Sequence, residues 1–105
     1  MQEITVEQLK ARLDAGEQLH IIDVREPEEY RIVHIGGELI PLATILANAD
    51  TIDRNKKTVV YCKTGSRSAQ AILALEEKFG FTNLYNLKGG ILAYIDEVQP
   101  GLTKY

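Results

Sequence analysis

Short apolar runs alternate with segments of helical period along this chain, and that alternation restricts its fold more than any other feature. Leu19-His20-Ile21-Ile22-Asp23-Val24 and Thr58-Val59-Val60-Tyr61 read as buried strands, the second β-branched or aromatic throughout. Further strands are expected around Leu39-Ile40 and from Asn83 to Leu87. Thr5-Val6-Glu7-Gln8 reads as a capping box that opens a helix with Val6, Leu9 and Leu13 on one face, stopping near Gly16. Pro27 opens a short helix through Tyr30 and Ile32, and Pro41 to Ala49 is expected to be helical with Leu42, Ile45 and Leu46 inward. A longer helix after Ser68 should bury Ala69, Ile72, Leu73, Leu75 and Phe79 and end at Gly80. A last helix runs from about Ile91 to Val98, before Pro100-Gly101. Strands separated by helices imply right-handed crossovers, hence an α/β fold: a mainly parallel sheet of about five strands with helices on both faces.

Size and charge narrow the function. A chain of 105 residues with 45% hydrophobic and 26% charged residues suits one domain, expected over 1–105, that folds around a single core. The net charge of −3 argues against nucleic-acid binding through a broad basic face. No apolar run reaches the roughly 20 residues of a membrane span, and Met1-Gln2-Glu3-Ile4 lacks the regions of a signal peptide. With Cys62 as the one cysteine, an internal disulfide, a CxxC pair and a multi-cysteine zinc site are excluded. The expectation is an intracellular, cytoplasmic protein with a reduced, unpaired thiol.

That thiol sits where function is expected. Ligands of parallel sheets bind beyond the carboxyl ends of the strands, and Cys62 ends one strand as Asp23-Val24-Arg25 ends another. Lys63, Thr64, Gly65, Ser66, Arg67 and Ser68 follow Cys62 directly and lead into a helix. Successive N–H groups in such a turn can form an anion-binding nest, to which the helix terminus adds its free N–H groups and dipole. Gly65 permits positive φ there. A sulfur at the centre of this cradle should be a stabilised thiolate, its pKa lowered by the helix terminus, Arg67 and Lys63. His34 is the only plausible base for a Cys–His pair, but a cradle-activated thiol needs none. His34 is expected to hydrogen-bond in its own loop, and His20 to lie at a strand edge.

Cysteine-dependent phosphatases use a similar cradle but place one more residue between Cys and Arg, and here Tyr61 stands where they carry His. The shorter loop has a narrower mouth, suited to one added sulfur atom. At this point the sequence resembles the rhodanese (thiosulfate sulfurtransferase) family over nearly its whole length. Ile21-Ile22-Asp23-Val24-Arg25-Glu26-Pro27-Glu28-Glu29-Tyr30 looks like the family's amino-terminal segment. His34-Ile35-Gly36-Gly37 with Ile40-Pro41-Leu42 is similar to its second, Cys62 through Ser68 to its active loop, and Leu87-Lys88-Gly89-Gly90 to the turn before its last helix.

The resemblance implies a rhodanese-like fold and a mechanism. Cys62 takes the outer sulfur of a donor, such as thiosulfate or the persulfide of a cysteine desulfurase, and passes it to a nucleophile. The loop residues 63–68 hold the anion, and Asp23 and Arg25 support the pocket; Arg25 is also free to pair with Glu26, Glu28 or Glu29. No metal or organic cofactor is implied. Lys63 stands where the family often has Arg, which disfavours bidentate binding of thiosulfate, and Tyr94 stands where Trp is usual. From Gly89 to Tyr94, then Glu97-Val98, Pro100 and Lys104-Tyr105, the chain resembles rhodanese domains fused behind MoeB/ThiF-type adenylyltransferases. Those domains pass sulfur to a ubiquitin-like carrier for molybdopterin or thiouridine synthesis. That implies a sulfur carrier or an adenylyltransferase as partner, acting in trans if the chain is complete and cut away if it is an excised domain. The alternatives are a rhodanese-like binding module without transfer activity and a small cysteine phosphatase or arsenate reductase.

Overall fold

Five strands form one sheet: β1 (Gln2–Ile4), β2 (His20–Asp23), β3 (Glu38–Leu39), β4 (Thr58–Tyr61) and β5 (Leu84–Leu87). The computed structural model describes residues 1–105. The strand order is β1-β5-β4-β2-β3, and every neighbouring pair is parallel. Four helices connect and cover the strands: α1 (Val6–Asp14), α2 (Pro27–Ile32), α3 (Ser66–Phe79) and α4 (Gly90–Glu97). None is long and apolar enough to cross a membrane.

The central strand β4 shows how the sheet divides the core. Successive strand residues point to opposite faces. Val60 and Cys62 therefore join Ile22, Val24, Ile72 and Leu75 in one apolar cluster on the α3 side. Val59 and Tyr61 join Val6, Leu9, Leu87, Ile91 and Ile95 in a second cluster beneath α1 and α4. Asp23 pairs in register with Tyr61, so the carboxyl ends of β2 and β4 lie side by side and the loops that follow them share one edge.

The expected elements are present, with three corrections. The segment from Pro41 to Ala49 is not an α-helix but contains the first of two 3₁₀ turns, Leu42–Thr44 and Ala49–Thr51. Side chains compete there for backbone carbonyls: Thr44 Oγ1 donates to Pro41 O at 3.0 Å and Asn48 Nδ2 to Thr44 O at 2.9 Å. The inward face is nonetheless as expected, with Ile45 buried and Leu42 and Leu46 packed on the core. Second, Leu73 and Phe79 of α3 are 51% and 43% exposed, and Leu13 of α1 is 37% exposed. One helical stripe holds Ser68, Ala71, Ile72 and Leu75, and Leu73 and Phe79 fall off it. Third, β1 was not expected at all. It is three residues long and only Ile4 is buried, so it carries almost no apolar pattern; its pairing with β5 defines it.

Candidate active site

The turn after β4 is built so that its N–H groups converge on one sulfur. Gly65 has φ +107°, a left-handed conformation open to glycine, and it directly precedes α3. Its N–H donates to Cys62 Sγ at 3.1 Å, and the Ser68 N–H does so at 3.4 Å. Ser68 Oγ lies 3.4 Å from the same sulfur. The loop carbonyls face away because the first turn of α4 holds them: Ile91 N–H donates to Cys62 O at 2.9 Å and Leu92 N–H to Lys63 O at 3.2 Å. Gly90 makes that approach possible, since a Cβ there would sit 2.4 Å from Lys63 O. Gly90 thus does more than turn the chain; α4 sets the polarity of the loop.

Burial of the sulfur raises the Cys62 thiol pKa, but hydrogen bonding by Ser68 and by the N–H groups of Gly65 and Thr64 outweighs it, leaving the pKa below its ordinary value. The lowered thiol was expected; its leading favourable causes are hydrogen bonds rather than the charges of Arg67 and Lys63. Asn86, which sequence reasoning missed, braces this arrangement. Its Oδ1 accepts from Ser68 Oγ at 2.5 Å and its Nδ2 donates to Gly65 O at 3.1 Å. The available signal was a polar side chain between Leu84 and Leu87 in a buried strand.

The charged residues are engaged elsewhere. Arg67 forms a two-pronged pair with Glu29 of α2, at 2.7 and 2.9 Å. This partner raises the Arg67 pKa and holds the Glu29 carboxyl at about 2. Lys63 Nζ lies 4.6 Å from the ring centre of Tyr105. Thr64 is exposed in the loop, whereas Ser66, Arg67 and Ser68, expected in the loop, form the first turn of α3, where Ser66 is exposed.

Asp23 and Arg25 form a fully buried pair, 2.7 Å apart, rather than a surface one. Among its possible partners, Arg25 takes Asp23, with Nε and Nη2 both donating to the carboxylate. Its remaining donors reach Val33 O at 2.8 Å and Tyr105 Oη at 2.8 Å. Neither residue touches the sulfur. Their link to the loop runs through Tyr105, whose hydroxyl donates to Glu29 Oε2 at 2.7 Å. Glu29 and Tyr105 were the other residues missed as site components, because nothing local marks one glutamate among three neighbours or an isolated tyrosine. His34 lies in its loop, accepting at Nδ1 from Gly36 N–H and stacked on Tyr30, and His20 reaches Glu38 at the sheet edge.

A parallel sheet with a buried, hydrogen-bonded cysteine at the carboxyl end of its central strand defines a thiol-centred α/β domain. Comparison with known proteins gives the family. The Rhodanese-like domain family model matches residues 5–97, and the chain belongs to that family. It is 42% identical over 105 residues to the probable adenylyltransferase/sulfurtransferase MoeZ of Mycobacterium tuberculosis, covering 97% of this chain but only 26% of MoeZ. It is 34% identical to the putative sulfurtransferase YtwF of Bacillus subtilis, covering 95% of this chain and 96% of that protein. Among solved structures, a rhodanese-like domain protein from Staphylococcus aureus superimposes with a TM-score of 0.84 at 34% identity, covering 100% of this chain and 99% of the other.

Proposed function

We propose that this chain is a sulfurtransferase in which Cys62 is the nucleophile and the carrier of the transferred sulfur. The observation that carries this reading is the convergence of Gly65 N–H and Ser68 N–H on Cys62 Sγ. Donors fixed before reaction stabilise a sulfur anion without reorganising as charge moves. The Cys62 thiolate attacks the outer sulfur of the donor. A bond forms between the two sulfurs as the donor's own bond to that sulfur breaks, and the electron pair leaves with sulfite or a thiolate. Cys62 is then a persulfide. A nucleophilic acceptor attacks the terminal sulfur, and the electron pair of the cleaved S–S bond returns to Cys62. No external oxidant or reductant enters, and the residues of the loop supply the chemistry without a metal or organic cofactor.

In this reading residues 63–68 form the cradle, and Asp23 and Arg25 are supports that act through Tyr105 and Glu29. Thiosulfate and the persulfide of a cysteine desulfurase are both donors of suitable chemistry. The similarity to MoeZ supports an adenylyltransferase as partner, and the resemblance to rhodanese domains fused behind such enzymes supports a ubiquitin-like sulfur carrier as acceptor, in molybdopterin or thiouridine synthesis. A reducing compartment such as the cytoplasm keeps the lone thiol ready. Intact mass after incubation with thiosulfate or cysteine persulfide, for wild type and Cys62→Ser, tests the reading. One added sulfur on wild type only, released by cyanide as thiocyanate, is expected. Absence of an adduct from both donors on folded protein would overturn it in favour of a binding module.

A further inference from the structure

Both cations of the cysteine loop are held by groups from outside it, and this bears on which donor the loop accepts. Arg67 gives both terminal nitrogens to Glu29, 38 residues away. Tyr105 closes the arrangement from the far end of the chain. Its hydroxyl accepts from Arg25 Nη1 and donates to Glu29 Oε2, and its ring faces Lys63 Nζ. Arg25 is in turn fixed by the buried Asp23 carboxylate, so Tyr105 Oη is anchored on one side by a rigid donor. The Glu29 carboxylate is therefore satisfied by Arg67, by Tyr105 and by the Glu26 N–H at 3.1 Å.

We propose that Glu29 and Tyr105 are positioning residues that set donor specificity: by holding Arg67 and Lys63, they disfavour the small dianion thiosulfate and favour sulfur presented as the persulfide of a thiol. The inference rests on the sulfur-transfer reading above. Thiosulfate brings two negative charges and leaves as sulfite, so its capture depends on uncompensated cations at the mouth. A persulfide R–S–SH reacts through its terminal sulfur: the Cys62 thiolate bonds to that sulfur as the S–S bond of the persulfide breaks and its electron pair leaves with RS⁻. Its recognition needs the N–H groups around the sulfur but no free guanidinium. With Arg67 bound to a carboxylate, the loop presents those N–H groups and one uncompensated cation, Lys63, drawn against the Tyr105 ring. Neutralising Glu29 frees one full positive charge within electrostatic reach of Cys62.

The test compares wild type with Glu29→Gln, Glu29→Asp and Tyr105→Phe, using thiosulfate and cysteine persulfide as donors and reading KM and kcat separately. In Glu29→Gln the ratio of kcat/KM for thiosulfate to that for cysteine persulfide should rise about tenfold, chiefly through a lower thiosulfate KM. Glu29→Asp, which keeps the charge, should restore a ratio near that of wild type, and Tyr105→Phe should give a smaller rise, about twofold. A ratio that is unchanged or lower in Glu29→Gln, or an equal response in Glu29→Asp, would overturn the proposal. Tyr105→Phe removes a single oxygen and carries the same test should Glu29→Gln fail to fold. Thiosulfate titration on a Cys62→Ser background separates the two levels of inference. Tighter binding when Glu29→Gln is added supports the clamp even if no donor loads wild type, and equal or weaker binding removes it.

Discussion

Two parts of the same sheet edge handle charge in opposite ways. Around Cys62 the partners are backbone N–H groups and one hydroxyl, with no acid or base against the sulfur. A short distance away, Asp23, Arg25, Tyr105, Glu29 and Arg67 form a continuous chain of ion pairs and hydrogen bonds that satisfies itself. The contrast follows from what each part must tolerate. A sulfur that gains and loses an atom needs donors that stay put and never titrate, which backbone dipoles provide. Buried charges must be paired, because a single unpaired one costs several kcal/mol. Charged side chains frame the site, and the peptide backbone faces the reaction.

The largest way to break the sulfur side is Cys62→Ser, which should abolish persulfide formation completely, read by intact mass. The largest way to break the charged side is Asp23→Ala. Leaving the Arg25 guanidinium buried and unpaired should lower unfolding free energy by about 3–5 kcal/mol, measured by denaturant titration. Gly90→Ala attacks the brace that α4 gives the cysteine loop. Left-handed strain and a Cβ overlapping Lys63 O should cost about 2–4 kcal/mol, and reactivity of Cys62 toward alkylation should fall as the loop carbonyls lose their donors.

Ser68→Ala sharpens the comparison without a change of fold. Loss of the hydroxyl and of its anchor on Asn86 should loosen the N–H groups on the sulfur, raise the thiol pKa and slow alkylation at neutral pH about tenfold; an unaltered pH–rate midpoint would show that the N–H groups hold without that anchor. The smallest effect is the acid response of Glu29. Its carboxyl lies at about 2 in the fold against an ordinary 4.5, so its pairing with Arg67 contributes stability that is fully present above pH 4.5 and is lost as pH falls toward 2. Glu29→Gln should flatten that part of the stability–pH curve.

Much of the site was legible because it is local. Cys62, Gly65 and Ser68 lie within one strand–loop–helix, and their spacing alone brings N–H groups to the sulfur. The capping box at Thr5 and Gln8 was legible for the same reason, and both of its hydrogen bonds are present. The 3₁₀ turns after Pro41 were not, because apolar spacing at 42, 45 and 46 suits either kind of helix, and polar side chains decided between them. β1 was hidden because an edge strand of three residues takes its identity from its neighbour.

The sequence by itself determined the α/β alternation, the place of Cys62 at a strand end, the glycine that lets the loop curl and the parallel sheet that puts function on that edge. All of these follow from short-range sterics and periodicity. Only the tertiary structure decided which carboxylate Arg67 meets, that Asn86 braces Ser68, and that Tyr105 lies between Arg25 and Glu29, 76 residues from the latter in sequence. Several carboxylates could equally pair with one arginine, and only the packing of distant segments chooses among them.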